Sequence, residues 1–187
     1  MEKVLNTYTI CQWKHLAIKA IDIDFWNNKE STFEMISFVK DDYGGAIIAA
    51  YDTITKNVIM IQQFQVWYGK KTLLLPRWGK ELWHNILQTA QKELLEETWY
   101  EAKKWIEWPE IYSSPWFFNQ HTGVVLAFDP FISNQSLQRD EIEEIDVILL
   151  PLEDALSCIM NGSIIDARTI SALFILSYHL QHTRTIT

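Results

Sequence analysis

The sequence predicts a mixed α/β (α+β) fold with a strand-rich first half, one central helix and a helical tail. Three observations carry this. Short alternating or apolar runs bounded by turn residues fill the first half, a long amphipathic pattern occupies the middle, and two further helical stretches close the chain. Strands are expected at "HLAIKAIDI", "TFEMISFV", "GAIIAAYD" and "VIMIQQFQV", with "KDDYGG" and "DTITKN" as the later turns. A short apolar run, "TLLL", leads into Pro76 and a loop. The central helix is expected from about 85 to 98, and further strands at "AKKWIEW", "TGVVLAF" and "IDVILL". The closing helices span about 152–161 and 166–181, the first ended by "NGS" with Gly162 in the left-handed cap.

A chain of 187 residues with 48% hydrophobic content suits one domain with a buried core and a small N-terminal extension. No apolar run approaches the roughly 18–20 residues of a membrane span, and the N-terminus lacks a continuous signal-peptide core. The expectation is a soluble, cytoplasmic protein. Cys11 and Cys158 lie far apart in no CxxC pattern and read as two reduced thiols, not a zinc site or redox pair. The net charge of −8 argues against nonspecific nucleic-acid binding. It leaves room for a phosphorylated small molecule if bound cations reverse the sign locally.

The chemistry concentrates in "KELLEET". On a helix, Glu93 and Glu97 fall one turn apart on the same stripe, with Glu96 on its flank. Ile86, Leu87, Ala90 and Leu94 form an adjoining apolar arc, so the carboxylates are placed at the edge of the core. Like charges packed this closely cost stability unless something neutralises them. Carboxylate-dense, oxygen-rich sites suit Mg²⁺ or Mn²⁺. Taken alone, three glutamates on a helix more often make a solvated acidic face.

Residues 78 to 100 resemble the Nudix box, G-x5-E-x7-R-E-U-x-E-E-x-G-U, where U is apolar. Aligned without gaps, Lys92 stands at the arginine, followed by Glu93, Leu94, Glu96, Glu97 and Tyr100 in the family's order. Trp78 and Trp99 replace the two glycines, His84 the first glutamate, and Lys92 the arginine. "VIMIQQFQVWYGKKTLLLPRWG" is similar to the strand, turn and strand before the box in ADP-ribose-type Nudix hydrolases, and "YSSPWFFNQ" to their "SPG" segment. "LEDALSCIMNGSIIDARTISALFIL" resembles their helical C-terminus, so the likeness covers roughly residues 33 to 180.

The resemblance implies a Nudix αβα sandwich with a mixed central sheet. It implies an N-terminal strand extension over residues 1–40, of the kind that builds a homodimer, and a hydrolase domain over 41–187. The implied activity is metal-dependent hydrolysis of a nucleoside diphosphate linked to another moiety, with ADP-ribose or a related ADP-compound as substrate and two monophosphates as products. Mg²⁺ or Mn²⁺ is the implied cofactor. Its implied ligands are Glu93, Glu97, Glu96 (as ligand or base) and the backbone carbonyl of Arg77. A further carboxylate is expected from "QRDEIEEID", with Glu141 or Glu143 favoured over Glu144 as the base. Any one of these is equally well a charged surface residue. Gln65 stands where that branch often has an arginine reaching the substrate. Arg77, Arg139 and Arg168 are further candidates for phosphate contact, although Arg139 and Arg168 also suit ordinary surface or helix-start positions. His15, His121, His179 and His182 show no ligand spacing.

The tryptophans pose a separate question. The chain has 6 glycines and 9 tryptophans, whereas average usage gives about 13 glycines at ~7%. Trp78, Trp99 and Trp116 stand where the family has glycine, Trp83 fits one in the loop, and Trp26 and Trp67 lie in turn contexts. A side chain at a left-handed cap costs about 1–2 kcal/mol. Three readings are open. The fold tolerates tryptophan at these places; or the chain is a catalytically impaired Nudix-fold protein that binds a nucleotide or a protein partner; or these are glycines encoded by UGA in a lineage that reads that codon as glycine.

Overall fold

The computed structural model describes residues 2–25, 29–39, 44–66, 68–79, 85–134 and 144–183. The chain divides into two compact units, residues 1–44 with 112–121, and residues 45–111 with 122–187.

The first unit is an antiparallel sheet of β1 (Lys3–Gln12), β2 (Leu16–Phe25) and β3 (Lys29–Phe38). The sequence reading finds β2 and β3 but not β1. Nearly every β1 residue is exposed, and its alternation is confined to Thr7–Ile10 between register shifts at Val4/Asn6 and Thr9/Cys11, too short a period to mark the strand. Residues 112–121 belong to this unit, although the sequence reading groups them with the hydrolase domain. The Ile36 N–H donates to the Phe117 carbonyl at 2.6 Å and the Asn119 N–H to the Ile36 carbonyl at 3.2 Å. Phe33 meets Trp116 edge-on at 5.4 Å, and Phe38 tilts against Phe118 at 5.3 Å.

The second unit is built on β4 (Gly45–Tyr51), β5 (Asn57–Gln65), β6 (Lys70–Leu74), β7 (Arg77–Gly79), β8 (Tyr100–Tyr112), β9 (His121–Ile132) and β10 (Ile145–Pro151). The strand order is β10-β5-β4-β9-β8, with β6 beside β5 and β7 beside β4. β4 and β9 run parallel, whereas β5 pairs antiparallel with β4, β6 and β10, which makes the sheet mixed.

Helix α1 (Ile86–Thr98) covers one face, and α2 (Leu152–Met160) with α3 (Ala167–Thr183) the other. The central strands are apolar on both sides because both sides are covered. Ile47, Ala49, Val58, Met60, Val124 and Leu126 pack with Ala155, Ala172, Leu173 and Leu176. Their neighbours in sequence, Ala46, Ile48, Ala50, Ile59, Val125 and Ala127, pack with Ala90 and Leu94. This is the helix–sheet–helix layering that the resemblance implies.

Helix boundaries fall within two residues of expectation, and Gly162 takes the predicted left-handed conformation at φ 78°. A Cβ at Gly123 would lie 2.5 Å from Ile86 Cγ2, so a glycine in β9 lets the first turn of α1 settle onto the sheet. The three-residue β7 is not anticipated. It directly follows Pro76 and is too short to show a period.

Candidate active site

Helix α1 starts where its sequence says it should. The Asn85 side chain accepts from the Gln88 N–H at 2.8 Å, and the Gln88 side chain accepts from the Asn85 N–H at 3.0 Å. This reciprocal capping box satisfies two of the donors a helix start leaves open. Ile86, Leu87, Ala90 and Leu94 then turn to the sheet as predicted. The same rotation carries Glu93 and Glu97 inward, each only 5% exposed, while Glu96 on the flank lies 3.6 Å from the Lys92 Nζ. Glutamate is almost never buried this deeply without a partner.

One partner is a backbone group. The Arg77 N–H at the start of β7 donates to Glu97 Oε2 at 3.0 Å. The neighbouring Leu75 N–H donates to the Thr169 hydroxyl of α3 at 3.3 Å, and the Pro76 carbonyl accepts from the Ile48 N–H at 2.9 Å. Leu75, Pro76 and Thr169 are all buried. A buried N–H left unmatched would cost about 1–3 kcal/mol. Pro76 has no N–H, so the two that remain in this linker are claimed by side chains from helices on opposite faces of the sheet.

Asp166 organises the α3 side. Its Oδ1 caps the helix by accepting from the Thr169 N–H at 2.9 Å and the Thr169 hydroxyl at 3.0 Å, and its Oδ2 takes the Arg168 guanidinium at 3.1 Å. Burial pushes the Asp166 carboxyl up. The guanidinium groups of Arg168 and Arg77, with the Thr169 N–H, outweigh it and hold the carboxyl below its ordinary range. For Arg77 the sum runs the other way. Burial, and then the like charge of Arg168, lower its proton affinity against the opposing pull of Asp166 and Glu97. An Arg77 Nη2 donor lies 3.4 Å from the Gln65 side-chain oxygen, and its Nε is buried with no hydrogen-bond partner among the described residues.

The structure thus joins Glu97 to the Arg77 backbone and the Arg77 side chain to Gln65, with Glu93 buried one turn before Glu97 on α1 and Glu96 beside Lys92. Arg168, a candidate phosphate contact, is engaged by Asp166. Glu144 is exposed and lies 3.5 Å from Lys71 Nζ. Glu141, Glu143, Arg139 and His84 lie outside the described residues. Among the described residues no group of three or more His, Cys, Asp or Glu is gathered closely enough to hold a metal ion. Asp166 and Thr169 escape the sequence reading. Their signal was present in "DARTIS", an aspartate three residues before a threonine at a helix start.

Trp99 ends α1 at φ 67° and ψ 15°, its N–H donating to the Leu95 carbonyl at 2.9 Å. This is the left-handed cap that glycine occupies without strain. Trp78 sits in β7 opposite Ala46, and Trp116 is 77% exposed in a turn. Trp26, Trp67 and Trp83 lie outside the described residues.

No family model matches the chain. A GDP-mannose pyrophosphatase of Citrobacter koseri is 34% identical over 147 residues, spanning 72% of this chain and 74% of that protein. An ADP-ribose pyrophosphatase of Bacillus subtilis is 28% identical over 172 residues, spanning 92% and 90%. A crystal structure of an ADP compounds hydrolase matches with a TM-score of 0.83 over 97% of this chain and 95% of that one; at 20% identity this is a likeness of fold. Glutamates in box order on α1, the backbone of β7 held against the last of them, and these relatives converge: the chain belongs to the Nudix hydrolase family, in its ADP-ribose pyrophosphatase and ADP-compound hydrolase branch, and is a nucleotide-hydrolysing pyrophosphatase.

Proposed function

We propose that the chain hydrolyses a nucleoside diphosphate linked to another group, with ADP-ribose or a related ADP-compound as substrate and Mg²⁺ or Mn²⁺ as cofactor. The observation that carries this is the burial of Glu93 and Glu97 one turn apart, with Glu97 accepting the Arg77 N–H. The donor set fits a hard divalent ion, because carboxylate and carbonyl oxygens are its preferred ligands and two buried carboxylates need a counter-charge. Glu93, Glu97, Glu96 and the Arg77 carbonyl are the residues that would hold it. When bound, such an ion offsets the charge of the diphosphate and acidifies a water.

The chain's own residues supply the rest. Glu96, Glu97, or Glu141 or Glu143 from the stretch of sequence before β10 accepts the proton of the attacking water, whose oxygen joins one phosphorus as the bridging P–O bond breaks. The other phosphate leaves with the bridging oxygen. ADP-ribose then gives AMP and ribose 5-phosphate. We assign Gln65, Arg77 and Arg139 as substrate contacts. β1 exposes Val4, Leu5, Tyr8 and Ile10 on an edge strand, which supports a homodimer formed through residues 1–40. No helix among the described residues is long and apolar enough to cross a membrane, and we place the protein in the cytoplasm.

The test is release of AMP from ADP-ribose with and without Mg²⁺, in the natural chain and in Glu97→Gln. Gln keeps an acceptor for the Arg77 N–H but loses the charge. Metal-dependent turnover that falls at least about 100-fold in E97Q supports the reading. Equal turnover in both sinks the assignment of Glu97. Tight nucleotide binding with no turnover under any metal supports an impaired binding protein, the reading that tryptophan at 78 and 99 favours.

A further inference from the structure

The linker from β6 to β7 carries the backbone of residue 77 into the site, yet its position is not set by the sheet alone. Leu75 gives its N–H to Thr169 and Arg77 gives its own to Glu97. Thr169 is 0% exposed, and its hydroxyl has one defined orientation, because its proton points to Asp166 Oδ1 at 3.0 Å while its lone pair receives Leu75. The result is a directed chain, Leu75 N–H to Thr169 hydroxyl to Asp166 carboxylate, anchored in turn by the Thr169 N–H and the Arg168 guanidinium. Arg77 pairs with Ile47 across β4, and Ile47 faces the α2 and α3 layer. The Arg77 side chain therefore shares the face of the α2 and α3 layer while its backbone reaches Glu97 in the opposite layer.

We propose that Thr169 and Asp166 are positioning residues for the catalytic site: through the hydroxyl of Thr169, the start of α3 fixes the linker 75–77 so that the backbone of residue 77 and the carboxylate of Glu97 are held together as one ligand unit. This rests on the metal reading above. Neither residue touches substrate or ion. They act through the linker, as outer partners commonly do for metal ligands, where their loss lowers metal affinity or activity by about 10–100-fold.

Thr169→Val keeps the shape and removes the hydroxyl, and Thr169→Ser keeps the hydroxyl and removes only a methyl. Two readouts are taken on the full chain: amide hydrogen exchange at Leu75 and Arg77, with Ala90 and Val125 as core references, and Mn²⁺ affinity from the electron paramagnetic resonance of free Mn²⁺. T169V is expected to speed exchange at Leu75 and Arg77 by about tenfold or more without moving the references, and to weaken Mn²⁺ binding by about tenfold. T169S is expected to stay within about twofold of the natural chain on both readouts. Unchanged exchange and affinity in folded T169V overturn the proposal, as do equal losses in T169S and T169V. If T169V does not fold, Asp166→Ala is read the same way, since it frees the hydroxyl from its orientation. A natural chain that binds no Mn²⁺ and releases no AMP removes the metal reading, while the exchange of Leu75 and Arg77 in the variants still decides whether α3 holds the linker.

Discussion

The two ends of helix α1 are built on opposite logic. At the N-terminal end the residues satisfy the backbone by themselves: Asn85 and Gln88 exchange two hydrogen bonds, and the helix begins where such a pair puts it. At the C-terminal end the conformation is right and the residue is wrong. Trp99 adopts φ 67°, a cap that suits glycine, and is held there by its N–H on Leu95 and its carbonyl on the Ser133 N–H at 2.9 Å. The end that carries Glu93, Glu96 and Glu97 is thus the end where local preference and tertiary demand conflict. Strained backbone commonly gathers at such places, where the surroundings over-determine the local conformation.

Breaking the functional end has the largest expected effect. Glu97→Gln leaves the fold intact and lowers metal-dependent turnover by at least about 100-fold, measured as AMP release. Relieving the strain comes next. Trp99→Gly is expected to raise stability by about 1–2 kcal/mol in urea denaturation, since glycine meets no penalty in the left-handed region. A loss of stability instead would show that indole packing outweighs the backbone strain. The mass of the peptide covering residues 73–116, from the native source, sharpens this point. Glycine masses at 78, 83, 99 and 116 make both helix ends ordinary; tryptophan masses make the contrast real.

The N-terminal end responds in the other direction. Asn85→Ala removes the cap acceptor and is expected to cost about 1 kcal/mol, with turnover barely changed because the carboxylates lie two to three turns away. The smallest effect is a pH dependence at the start of α3. Asp166 has a folded pKa below its unfolded value, so its contribution is complete above about pH 4 and is lost as pH falls through the folded value. The stability gap between the natural chain and Asp166→Asn should therefore narrow as pH falls below about 4, read from urea midpoints. A constant gap would mean that Asp166 matters only as an uncharged cap.

Much of the fold was legible. β4, β5 and β9 read as continuous apolar runs because both of their faces are covered, and α1 reads from its 3.6-residue arc. β1 was missed because register shifts at both ends leave it only a four-residue alternation, and β7 because three residues carry no period. In the site, the glutamates were legible from spacing alone, since a helix fixes the relation of residues three and four apart. The Asp166 and Thr169 network was not, because its partners Leu75 and Arg77 lie some ninety residues away along the chain.

The sequence by itself determined the apolar runs of the central strands, the helix that bears Glu93, Glu96 and Glu97, and its start near residue 85. Each of these depends on neighbours within a turn or a strand, where covalent geometry sets which side chains meet. Only the tertiary structure decided that Glu97 would receive the Arg77 N–H and that α3 would reach the same linker through Thr169. Those outcomes depend on where a buried backbone donor finds its acceptor. In a dry interior the donor must find one, and the choice is made by packing across the sheet and not by local sequence.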